Sequence, residues 1–171
     1  MARLTGSPAV WHPLPDDLAA ELGRTIASFG HLEDMLKRAI FALERDRLSG
    51  EILEPEFRAW LRRMRDVAVD SLGNLIERFD TALRRANRAE AALIAQLNSV
   101  KDWRNILCHA AWQPAPAGGW APVFASTRGQ AFEGTIDPAQ LRTICELSLD
   151  AALRVARLID DLLVADWTTT D

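Results

Sequence analysis

The segment WRNILCHAAW holds Arg104, Asn105 and His109, three side chains able to carry acid–base and charge chemistry. An imidazole ordinarily titrates near neutrality, which suits a general base or acid, and an arginine stays charged and presents a rigid fork of donors to an oxyanion. The same segment contributes Trp103, Ile106, Leu107 and Cys108, the residue types of a buried helix. Charged and titratable groups are costly to desolvate without partners, so this mixture calls for a partner or a function.

A candidate partner stands earlier in the chain. Glu33, in FGHLEDML, interrupts an apolar stripe in the same way that Arg104 interrupts its own. If the helices carrying them are neighbours, a Glu33–Arg104 ion pair would neutralise both charges and hold the guanidinium in a fixed direction. The bland alternative is that such a pair only sets helix register.

Asn98, Asp102, Asn105 and His109 step by four, three and four residues and form a polar stripe beside the apolar one. Asn105 is thereby placed to orient the imidazole, with Asp102 as a further supporting group. Arg104 and His109 diverge by about 140° on an ideal helix, so a straight, isolated helix would not bring both to one small ligand. Either the helix loosens at its end or a second copy of it completes the site. His12 and His31 have no comparable neighbours and receive no role.

The elements that must position these residues are helices. Leu18, Leu22, Ile26, Phe29, Glu33, Leu36, Ile40 and Leu43 recur at three- and four-residue steps, one face of a long helix that Ser49-Gly50 ends. A second stripe runs through Phe57, Leu61, Met64, Ala68, Leu72, Ile76, Phe79 and Leu83, with Gly73 as a possible kink. A third carries Leu93, Leu97, Val100, Arg104, Leu107 and Ala111 and stops before Pro114. Asp137-Pro138 supplies an N-cap and a first-turn proline for a last helix through Ile144, Leu147, Ala151, Val155, Leu158 and Leu162, which Leu149, Leu153 and Leu163 widen. A helix apolar on more than one side is central or meets a second chain.

Between the third and last helices, QPAPAGGW is a loop by composition, and WAPVFASTRGQAFEGTI predicts two short strands turning near Arg128-Gly129. The expectation is therefore an all-α fold: one domain over residues 1–171, an up-and-down bundle of four long helices with a small β-hairpin inserted before the last. Residues 1–15 form an extended N-terminal segment, 113–136 the loop and hairpin, and 168–171 a frayed tail.

Composition bounds the function. Hydrophobic residues make up 49% and charged residues 26%, the balance of a globular protein with a sizeable core. A net charge of -4 argues against generic attraction to nucleic acid or anionic membrane, so any contact with phosphate must be local. No apolar run spans a bilayer and the first residues lack a signal-peptide pattern, so the expected location is cytoplasmic, away from membranes. Cys108 and Cys145 lack metal-binding or redox spacing and read as buried thiols, and nothing in the chain calls for a cofactor or a metal.

The RNILCHA stretch resembles the motif of the HEPN superfamily, in which an Arg, commonly followed by a polar residue such as Asn, precedes a His by four to six positions. Arg104, Asn105 and His109 carry the match, and Glu33 in FGHLEDML looks like the acidic position on an earlier helix in several HEPN groups. The resemblance implies an all-helical homodimer whose two motif helices face each other across a shared cleft. It also implies metal-independent endoribonuclease activity in a defence, toxin–antitoxin or stress setting, with an antitoxin or regulatory protein as a further partner. Many paired toxins of this kind carry a Tyr shortly after the His. Here His109 is followed by Ala110-Ala111-Trp112 and the chain has no Tyr, so adenylylation there has no acceptor.

On this reading His109 is the base or acid, Arg104 stabilises the transition-state charge, Asn105 orients His109 or meets a phosphate oxygen, and Glu33 positions Arg104. The products implied are a 2′,3′-cyclic phosphate and a 5′-hydroxyl. Arg58, Arg62 and Arg65 share a helix face on which RNA phosphates could track, although acidic residues intersperse that helix as on an ordinary solvated surface. Trp103, Trp112 and Trp120 either stack bases or pack the helix end against the hairpin. The alternative to a nuclease is a non-catalytic homodimeric bundle that mediates interactions, or that binds RNA or a nucleotide without cutting.

Overall fold

The computed structural model describes residues 12–46, 54–123 and 132–168. Within them the chain is mostly helical, with a small antiparallel hairpin before the last helix. Its elements are α1 (Asp16–Asp46), α2 (Glu54–Val69), α3 (Leu72–Arg85), α4 (Ala91–His109), β1 (Ala111–Pro114), β2 (Trp120–Val123) and α5 (Pro138–Thr168). No described helix is long and apolar enough to cross a membrane.

The second predicted helix is two helices, which corrects the expectation of four. The apolar period runs on from Ala68 to Leu72, but Asp70 and Ser71 leave the helix between them. Ser71 has extended backbone and its hydroxyl accepts the Asn74 N–H at 3.4 Å, so it starts α3 as an N-cap. Gly73 lies in the first turn of α3 and forms no kink. The far end of α3 closes on Asn87, which takes the left-handed conformation at φ 55°. There the Arg88 N–H returns to Leu83 O at 2.9 Å and the Asn87 N–H to Arg84 O at 3.1 Å, satisfying carbonyls that a helix end otherwise leaves unpaired.

The Asp137 cap is present and reciprocal. Its carboxylate accepts the Gln140 N–H at 2.7 Å, and the Gln140 side chain accepts the Asp137 N–H at 2.9 Å. The hairpin, by contrast, lies earlier than expected. β1 begins two residues beyond His109, and the chain turns through Gly118 and Gly119, whose positive φ values (91° and 85°) suit glycine. Ala111 opposes Val123 and Pro114 opposes Trp120, so the supposed loop QPAPAGGW supplies part of β1, the turn and the first residue of β2. Arg128-Gly129, Ser49-Gly50 and residues 1–11 lie outside the described residues, as do residues 169–171 of the expected frayed tail, whereas Thr168 belongs to α5.

α1 and α5 make the most extensive helix–helix contact, and their starts lie together. Arg142 pairs with Glu21 at 3.2 Å, the Thr25 hydroxyl donates to Leu141 O at 3.1 Å, and Cys145 Sγ approaches Arg24 O at 3.9 Å. Thr25, Ser28, Ser148, Ala151 and Ala152 are buried, so small side chains let these two helices approach closely. α3 and α4 form an antiparallel pair through the short 86–90 connection, with Gly73 beside Lys101. Around these pairs, Leu32, Leu36, Leu75, Phe79, Leu83, Leu97, Val100 and Val155 form one contiguous core. Of the residues that widen the α5 stripe, Leu149 and Leu153 lie outside that core and are exposed, as is Ile26 of α1.

Candidate functional site

α4 carries the candidate site at its C-terminal end. Leu93, Leu97, Val100 and Leu107 bury the inward face of the helix and fix its rotation. With that face committed, Arg104 and Asn105 are half-buried at the margin, and Asp102, Cys108 and His109 are exposed. The helix stops at His109 because Ala110 takes extended backbone and leads directly into β1.

Arg104 and His109 meet within one chain. Arg104 Nη1 lies 3.2 Å from His109 Nε2, which corrects the expectation that helix geometry keeps the two apart. The divergence on a helical wheel describes the Cα–Cβ directions, whereas an arginine side chain is long enough to swing back over the last turn of its own helix. A guanidinium has donors and no acceptor. For this contact to be a hydrogen bond, His109 must accept through Nε2 and carry its ring proton on Nδ1.

Asn105 is turned toward the arginine, its Oδ1 3.5 Å from Arg104 Nη1, at the outer limit of a hydrogen bond. Among the described residues it makes no bond to the imidazole, contrary to the orienting role expected of it. Asn98, two steps up the polar stripe, is engaged locally, donating to Ile94 O at 2.9 Å and accepting from Lys101 Nζ at 2.7 Å. Among the described residues Glu33 forms no ion pair with Arg104, so the expected buried pair is absent and Arg104 is held by its own helix. Glu33 is nonetheless close enough to be felt: the Cys108 thiol is pushed up from its ordinary value by burial first, lowered by the Arg104 charge and raised again by Glu33.

Cys108, flanked by these two charges and adjacent to His109, is a member of the site that its residue type gave no reason to expect. Neither cysteine is fully buried, contrary to the reading of both as core thiols: Cys108 is exposed, Cys145 half-buried, and both are free. The tryptophans pack. Trp103, Trp112 and Trp120 lie partly buried against the core, and Trp103 meets Phe132 at a ring separation of 5.9 Å. They tie the end of α4 to the hairpin and to the segment that leads into α5, which gives His109 a firm base.

Among the described residues no hydrogen bond or ion pair joins the basic face of α2 to this site. Arg58 is bound to Glu54 on its own helix, and Arg62 and Arg65 are exposed. Among the described residues no three His, Cys, Asp or Glu side chains come together in a way that could hold a metal ion.

A second feature was hidden in the sequence. Glu44 follows Ile40 by one helical turn, the same irregularity that drew attention to Glu33, and it is the more deeply buried of the two acids, at 7% exposure. Arg63 of α2 and Arg85 of α3 approach its two carboxylate oxygens at 3.8 and 3.6 Å. They stand on a cleft of about 450 Å³ between α1, α2 and α3.

Comparison of the chain with protein-family models, with curated proteins and with solved structures finds no match in any of the three.

Proposed function

We propose that the protein is a HEPN-like, metal-independent endoribonuclease whose helices complete an up-and-down bundle and which works as a homodimer, with RNA held at the ends of the two α4 helices. The observation that carries this reading is the 3.2 Å approach of the Arg104 guanidinium to His109 Nε2 on an exposed helix end. A charged donor and a nitrogen base within one phosphate's reach are the minimum apparatus for internal transesterification of RNA.

The chemistry uses the substrate's own 2′-hydroxyl. An entering phosphodiester draws the guanidinium onto its anionic oxygens and frees His109 Nε2. Nε2 then takes the 2′-hydroxyl proton as the 2′-oxygen bonds to phosphorus. Arg104 meets the charge that accumulates on the non-bridging oxygens, and the bond to the 5′-oxygen breaks. A water molecule relays the proton from the imidazolium to the departing oxygen, which regenerates neutral His109 and leaves a 2′,3′-cyclic phosphate and a 5′-hydroxyl. Asn105 and Glu33 act through Arg104, the first by the contact at its Nη1 and the second by its field. The biological setting that accords with such an activity is defence, toxin–antitoxin or stress response in the cytoplasm, with a regulatory protein restraining it.

The test is cleavage of a mixed pool of tRNA and mRNA fragments in EDTA by the wild type, His109→Ala and Arg104→Ala, with analysis of the 3′ ends. Cyclic phosphate ends produced by the wild type and lost in both variants are the expected result. Equal inactivity of all three proteins across varied RNAs would remove the enzymatic reading and leave a non-catalytic helical interaction or RNA-binding module.

A further inference from the structure

We infer that the cleft between α1, α2 and α3 is a binding site for a small phosphate ester with an aromatic or apolar body, of the size of a nucleoside monophosphate. This site is separate from the α4 helix end and does not depend on the ribonuclease reading. Its floor is apolar, made by Ile40, Met64 and Val67, and its rim carries Arg63, Arg78 and Arg85 together with Glu77. A volume of about 450 Å³ falls inside the range of ordinary small-molecule clefts.

The arginines decide the class of ligand. Arg63 and Arg85 come from different helices and converge on the one buried carboxylate of Glu44 at 3.8 and 3.6 Å. Those separations exceed hydrogen-bond length, so Glu44 draws the two guanidinia together by charge without consuming their donors. Among the described residues neither Arg63 nor Arg85 makes a hydrogen bond. Both guanidinia are about half exposed, with side chains at 49% and 56%, so their forks remain open to an incoming oxyanion. The two guanidinia outnumber the Glu44 carboxylate between them, while Glu77, exposed on the same rim, offsets part of that excess. Arg78, by contrast, is paired with Asp70 and contributes little free charge.

A phosphate dianion fits this arrangement better than a carboxylate, because two forks from different helices can each take a separate pair of its oxygens. The apolar side of the cleft, where Met64 is half-buried over the closed side chains of Ile40 and Val67, then asks for a flat or greasy body attached to the phosphate, which inorganic phosphate does not supply. Thr81 on the exposed rim offers its hydroxyl oxygen as an acceptor to such a body, the hydroxyl proton being committed to Glu77 O at 2.8 Å.

The experiment is calorimetric titration of the full chain with the four nucleoside 5′-monophosphates, with the matching nucleosides and with inorganic phosphate. Arg63→Gln removes one fork. Thr81→Trp fills the cleft from its exposed rim and leaves Arg63, Arg85 and Glu44 themselves in the chain, which keeps the test valid should the arginine variant unfold. The expected result is saturable binding of at least one monophosphate at one site per chain, at least tenfold tighter than its nucleoside or phosphate alone. Binding weakens at least tenfold in Arg63→Gln and is lost in Thr81→Trp, while Arg104→Ala binds like the wild type. Absence of saturable binding by all four monophosphates at millimolar concentration would overturn the proposal, as would equal binding by the wild type and Thr81→Trp. Loss of the binding in Arg104→Ala would place the ligand at the α4 end and overturn it equally.

Discussion

The guanidinium of Arg104 reaches over the last turn of α4 and lies 3.2 Å from Nε2 of His109, five residues further on. One chain thus assembles both groups without help from a second copy of the helix. The contact has a direct consequence for the imidazole. With Nε2 accepting, the neutral ring carries its proton on Nδ1, the less common tautomer of a free histidine. Nitrogen-15 chemical shifts of the His109 ring are expected to report an Nδ1–H tautomer in the wild type and a shift toward Nε2–H in Arg104→Gln. An Nε2–H ring in the wild type would mean that the pair does not form in solution.

Cys108 offers an independent view of the same electrostatics. Partial desolvation of the sulfur, on a residue otherwise exposed, holds its thiol above the ordinary value, Arg104 favours the thiolate and Glu33 opposes it. Alkylation proceeds through the thiolate, so at neutral pH it should be slower at Cys108 than at an unstructured peptide thiol, speeding up only as pH rises past the raised value. Arg104→Gln is expected to slow the reaction further and Glu33→Gln to speed it, each by a factor of about two to ten for a partly solvated charge. Peptide mass spectrometry at Cys108 separates this signal from Cys145. Faster reaction in Arg104→Gln, or slower reaction in Glu33→Gln, would sink this account of the site's charges.

The fold depends on a core that one substitution can probe. Phe79 is fully buried in α3 within the central cluster. Phe79→Ala should lower the unfolding free energy by about 3–5 kcal/mol, the sum of lost transfer energy and a cavity that packed helices close only in part. Val69, at 85% exposure on the last turn of α2, is the contrast, and Val69→Ser should change stability by less than about 0.5 kcal/mol. Urea unfolding of both variants checks the pair, and a cost at Val69 comparable to that at Phe79 would contradict the burial described.

Helix caps separate what sequence makes legible from what it hides. Asp137-Pro138 announces α5 because a carboxylate N-cap and a first-turn proline act locally, and Asp137→Ala should cost about 1 kcal/mol by thermal or urea unfolding if the two reciprocal bonds hold. Ser71 is just as local, yet the apolar period of α2 continues in phase into α3 and masks it. The same blindness applies to the hairpin: β1 follows His109 so closely that its first residue, Ala111, extends the helical stripe of α4. At the site, residue types identified Arg104 and His109, while side-chain reach, which a helical wheel omits, decided that they meet. Glu44 escaped notice because its two arginines come from helices distant in sequence, and only packing reveals that convergence.

If the protein is the dimeric ribonuclease proposed above, mixing Arg104→Ala with His109→Ala asks whether the pair works within one chain or across the dimer. If each Arg104 serves the His109 of its own chain, as the 3.2 Å contact implies, a heterodimer of Arg104→Ala with His109→Ala contains no intact pair. RNA cleavage by the mixture should then stay at the level of either variant alone, a loss of about a hundredfold or more, as expected when a general base or a charge-stabilising group is removed. If instead the arginine of one chain serves the histidine of the other, the heterodimer restores one of its two sites. After random subunit exchange, about a quarter of wild-type activity would return. Subunit exchange must be shown first, by the appearance of a mixed dimer between differently tagged chains. Recovery of activity in that mixed dimer would mean that the contact within one chain is a resting arrangement, and that Arg104 crosses to the second copy when RNA binds.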